Sequence, residues 1–91
     1  MTKSNNWELA EAVIFFQGKL TESKMNLTFG KADLFLELEN LQKVVLENDA
    51  TETARIANII SNIATKNLTF ENEVKYYEYQ ISCVDGSNKQ N

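Results

Sequence analysis

The sequence predicts an all-α domain, and three observations carry that expectation. Proline is absent and glycine occurs only at Gly18, Gly30 and Gly86, so the residues on which turn-rich β and polyproline architectures depend are missing. Apolar residues recur at helical spacing through most of the chain. The 91 residues, 43% hydrophobic and 24% charged, suit one folded domain rather than a disordered segment. The expected architecture is a small four-helix bundle of two antiparallel αα-hairpins over residues 1–85, with a mobile polar tail at 86–91.

A first helix is expected from Asn6 to Thr21, with Asn5 or Asn6 as N-cap. Trp7, Ala10, Val13, Ile14, Phe16 and Leu20 share one half of its wheel, opposite Glu8, Glu11 and Lys19. Gly18 weakens its end, and Thr21-Glu22-Ser23-Lys24 reads as a connection. A second helix is expected from Thr28 to Glu47. Leu34, Leu38, Leu41 and Val45 repeat at 4-3-4 spacing there, a narrow seam that Phe35 and Leu46 widen.

The strongest local signal is Asn48-Asp49-Ala50-Thr51-Glu52. Asp49 can accept the Glu52 backbone N–H while the Glu52 side chain reaches back, which closes a capping box. The third helix runs from Ala50 to Lys66 on a stripe of Ile56, Ile59, Ile60 and Ile63. The fourth begins at Thr69 as N-cap, and Phe70, Val74, Tyr77, Ile81 and Val84 recur at 4-3-4-3 spacing. An α+β alternative makes 74–84 a strand, since the segment is rich in β-formers. Strict alternation fails there because Tyr76 adjoins Tyr77 and Ile81 is out of phase. Asp85-Gly86 ends the last helix.

Asn26-Leu27-Thr28-Phe29 recurs as Asn67-Leu68-Thr69-Phe70, and both copies are expected at helix starts. The offsets that give an apolar seam after Phe70 give Asp33 and Asn40 after Phe29. The echo therefore reads as a shared capping solution rather than a duplication.

Composition excludes several chemistries. Histidine is absent and Cys83 is the only cysteine, which removes zinc fingers, disulfide scaffolds, CxxC redox sites and His-based nucleophilic catalysis. Bundle di-metal sites need Glu-x-x-His pairs, and no calcium loop or phosphate-binding glycine loop occurs. No cofactor, metal or enzymatic activity is expected. A net charge of −4 without a basic cluster argues against nucleic acid as a partner. No apolar run is long enough to span a membrane. Glu8 and Glu11 interrupt any signal-peptide core, so a cytoplasmic location with a reduced Cys83 is expected and the sequons at Asn26 and Asn67 carry no glycosylation meaning. Asparagine at eleven positions accompanies AT-rich coding in bacteria and their phages.

Two surfaces are candidate sites. With Phe70, Val74, Tyr77, Ile81 and Val84 turned inward, Tyr76, Tyr79 and Cys83 share a different face, and tyrosine is enriched in binding surfaces. This face is the expected interface, with a protein partner or with a second copy in a homodimer or higher oligomer. Asp33, Glu37 and Glu47, with Asn40, form an acidic ridge within about 80° on the second helix. Most such ridges are solvated faces, and this one could also meet a basic surface. Cys83 reads as a small apolar contact residue, because no cation neighbours it to lower its pKa.

The expected function is that of a small non-enzymatic binding protein that regulates or inhibits another protein by surface occlusion. A phage- or mobile-element-encoded inhibitor of a host system fits the size and composition. The alternatives are a bacteriocin- or toxin-immunity-type protein and a nucleotide or small-molecule binder at a subunit interface. In the latter, Tyr76 or Tyr79 stacks on a base and Lys75 lies near its phosphate.

Overall fold

The computed structural model describes the backbone over residues 2–89 and the side chains over residues 7–84. Two helices account for nearly all of it: α1, Thr2–Leu46, and α2, Ala50–Lys89. They run antiparallel as one long hairpin with extents of 69 × 14 × 14 Å. That length is what 45 residues of helix give at about 1.5 Å per residue. The all-α expectation holds, whereas the four-helix bundle is replaced by a two-helix hairpin. The strand alternative for 74–84 is also overturned, since that segment lies inside α2.

The two expected interruptions are both absent, for the same reason. On α1 the side facing α2 is Val13, Phe16, Leu20, Ser23, Leu27, Gly30, Leu34, Glu37, Leu41 and Val44, an unbroken 4-3 repeat of buried or half-buried positions. On α2 it is Thr53, Ile56, Ile60, Ile63, Asn67, Phe70, Val74, Tyr77, Ile81 and Val84. Ser23, Gly30 and Asn67 occupy seam positions, so their polar or missing side chains look like breaks although the coiled-coil period continues through them. The residues around them are helix-competent, and the hydroxyls of Thr28, Thr65 and Thr69 donate to the carbonyls four residues earlier at 3.0, 2.9 and 3.3 Å. Thr69 is thus a mid-helix residue rather than an N-cap. Likewise α1 already runs from Thr2, ahead of the caps expected at Asn5 or Asn6.

Seam phase is corrected on α1 as well. Leu38 and Val45 are exposed, and Glu37 and Val44 turn toward α2 in their place. Trp7, Ala10 and Ile14 also lie outside, unlike Val13, Phe16 and Leu20. The helix end expected at Asp85-Gly86 is corrected too, since the α2 backbone continues to Lys89; of the tail expected at 86–91, residues 90 and 91 lie outside the described residues.

The connection between the helices is where sequence and structure agree in detail. Asn48 has φ 59°, a left-handed conformation that asparagine tolerates better than most residues. Its N–H donates to Val45 O at 3.1 Å and the Asp49 N–H to Val44 O at 3.0 Å, the paired bonds of a Schellman cap. Asp49 then caps α2, its Oδ1 accepting the Glu52 N–H at 3.1 Å. The reciprocal half of the expected capping box is not formed, because the Glu52 carboxylate is held by Arg55. Asn48→Ile should cost about 1–2 kcal/mol, since a β-branched residue is strained at positive φ, and Asn48→Gly should be neutral or stabilising. Chemical denaturation of the two variants measures both effects.

Candidate functional site

A hairpin of two helices has one internal line of side chains and no enclosed interior. Ile56, at 4% exposure, is the only buried hydrophobic residue among those described. Among the described residues no three histidine, cysteine, aspartate or glutamate side chains gather as a metal site. No helix there is long and apolar enough to cross a membrane.

The polar layer sits halfway along the hairpin. Asn67 is buried against the Gly30 backbone, where a methyl group would overlap its Oδ1 and stand 2.9 Å from its Cγ. That oxygen has no hydrogen-bond partner. The two Asn-Leu-Thr-Phe segments meet here: Asn26, Phe29, Asn67 and Phe70 line one shallow groove, and Leu27 and Leu68 line another. Both segments are mid-helix rather than at helix starts. Their phases differ, with Phe29 61% exposed and Phe70 half-buried.

Toward the open end of the hairpin, four aromatic rings cross the molecule. Phe15 meets Phe16 edge-on at 5.5 Å between centroids, Phe16 meets Tyr77 at 6.2 Å, and Tyr77 meets Tyr76 edge-on at 5.3 Å. Phe16 and Tyr77 belong to the seam, while Phe15 on α1 and Tyr76 on α2 are exposed. The Lys19 ammonium lies 5.8 Å from the Phe15 centroid, within cation–π range.

Of the residues proposed from sequence, Tyr76, Tyr79 and Cys83 are all exposed on the outer side of α2. Side-chain hydrogen bonding with Cys83 is the main cause that raises the Tyr79 phenol above its ordinary pKa. The acidic ridge is split. Asp33 and Glu47 are exposed, but Glu37 turns into the seam, where its charge reaches Arg55. Asp33 shares a groove with Lys66, so the ridge does not present a uniformly negative face. Arg55 pairs with Glu52 at 2.7 Å, and that hydrogen bond holds the Glu52 carboxyl below the usual carboxylate range.

The surface that composition and periodicity did not single out is the outer face of α1. Trp7, Ile14, Phe15, Met25, Phe29, Phe35 and Leu36 are all more than half exposed there. Its signal in the sequence is a second apolar row, which is hidden when Trp7 and Ile14 are placed on the inner face. No known family model, no curated protein and no solved structure matches the chain.

Proposed function

We propose that this chain is a non-enzymatic helical binding protein that acts by covering a surface of a protein partner. The observation that carries the reading is the exposure of large apolar and aromatic side chains on both outer faces of a thin hairpin. Tyr76 and Tyr79 on α2 are 54% and 65% exposed. Tyrosine offers large contact area at small entropic cost and is a frequent hot-spot residue. A rigid rod some 69 Å long can present such side chains in a fixed row, so little ordering is required when a partner binds.

Affinity capture with the wild-type chain and with Tyr76→Ala/Tyr79→Ala tests this reading. Each hot-spot truncation costs about 2 kcal/mol, so the double variant should lose its captured partner while keeping wild-type helicity. Equal capture by both proteins would contradict a partner site on α2.

A further inference from the structure

We propose that two copies of this chain associate side by side through the outer face of α1, antiparallel, about a two-fold axis at Met25. The inference concerns a face of the molecule that the partner site on α2 does not use, and it stands or falls separately.

The first ground is area. The chain exposes 6939 Å², whereas a compact monomer of 10.4 kDa exposes about 5,400 Å². The surplus of about 1,500 Å² is what a rod of 69 × 14 × 14 Å leaves uncovered, and lengthwise pairing of two rods is the association that covers most of it. A concentration of large exposed apolar side chains, here interrupted by Thr21, Glu22 and Thr28, marks an interaction surface.

The second ground is Gly18. It lies inside a long helix with no positive φ, and a Cβ built on it meets nothing within 4 Å. Glycine in a helix interior is unfavourable relative to alanine, and this chain's own packing gives no reason for it. Gly30 differs, since Asn67 fills the space beside it. A missing side chain on an open helix face is accounted for when another backbone approaches that face closely.

The third ground is self-complementarity, which a two-fold interface requires. In an antiparallel pair centred on Met25, residues of the same flank that lie at equal distances from it, to within one residue, meet across the axis. Gly18 then opposes Ala32, so the two exposed small residues fall opposite each other at both ends of the central Met25 pair. On one flank Phe15 meets Leu36, and on the other Ile14 meets Phe35. Further out, Glu8 meets Lys43. Two mismatches remain: Glu11 opposite Glu39 at the periphery, where water screens it, and Glu22 opposite Phe29 on either side of the central Met25 pair, where the carboxylate must reach to the rim. Moving the axis half a heptad toward the N-terminus would set Glu22 against its own symmetry mate. A second copy is therefore the occupant that the row fits, and the assembly is a four-helix layer with α2 on each outside edge.

The test uses the full chain. Light scattering should give a dimer. In a Cys83→Ser background, Met25→Cys should form an intermolecular disulfide under mild oxidant, and Tyr79→Cys should not. Gly18→Lys/Ala32→Lys places bulk and like charge where the helices approach. Since lysine is a better helix former than glycine, the variant should keep its helicity while the dimer dissociation constant rises at least a hundredfold. A wild-type monomer at tens of micromolar would overturn the proposal. So would cross-linking at Tyr79→Cys without cross-linking at Met25→Cys, or a lysine variant that dimerises as tightly as the wild type.

Discussion

Ile56→Ala should lower the unfolding free energy by about 3 kcal/mol, which is most of what a small domain has to spare. Ile56 is the only described hydrophobic side chain shielded almost completely, at 4% exposure. In a two-helix hairpin no further layer can collapse into the space left behind. Leu46→Ala is the control. Leu46 is 83% exposed at the end of α1, and its truncation should change stability by no more than about 0.5 kcal/mol. Urea titration reads both as shifts in midpoint at constant slope, at one protein concentration because association contributes to apparent stability.

The second large effect is a reversal of sign at Gly30. Glycine to alanine in a helix interior ordinarily stabilises by about 1 kcal/mol. At Gly30 the new methyl would overlap the Asn67 side chain, which is buried in the seam with little room to move. Overpacking of this kind costs about 1–3 kcal/mol, so Gly30→Ala should be destabilising in the native background. In an Asn67→Ala background the obstruction is gone, and the same substitution should stabilise. A double-mutant cycle measures the coupling, expected above about 1 kcal/mol. Additive effects would mean that Asn67 does not occupy the space beside Gly30.

Much of this architecture is legible in the residues, and the exceptions have a common cause. The isoleucine stripe of 56–63, the aromatic–aliphatic repeat of 70–84 and the turn at Asn48-Asp49 all appear where the periodicity and capping chemistry place them. The exceptions lie at polar residues of the seam. Ser23, Gly30 and Asn67 break the apolar pattern without breaking the helix, so apolar spacing alone divides two long helices into four. Glu37 did the same on a smaller scale. Because it is charged, apolar identity favours Leu38 and Val45 for the α1 seam, although the repeat passes through Glu37 and Val44. Apolar identity alone could not separate the two rows of α1, because both carry leucine, isoleucine and phenylalanine. The α2 surface of Tyr76, Tyr79 and Cys83 was legible because its inner row is unambiguous.

The central claim is that the seam runs unbroken through its polar positions, so that the chain forms one long hairpin instead of a folded-back bundle. Small-angle X-ray scattering tests it most directly. The Cα radius of gyration of one hairpin is 20.2 Å, against about 12 Å for a compact domain of this length. Side-by-side antiparallel association broadens the particle without shortening it. A particle of maximum dimension near the 69 Å of the hairpin, with a radius of gyration of 20 Å or slightly more, is the predicted result. A radius near 12 Å, with a correspondingly short maximum dimension, would contradict the account.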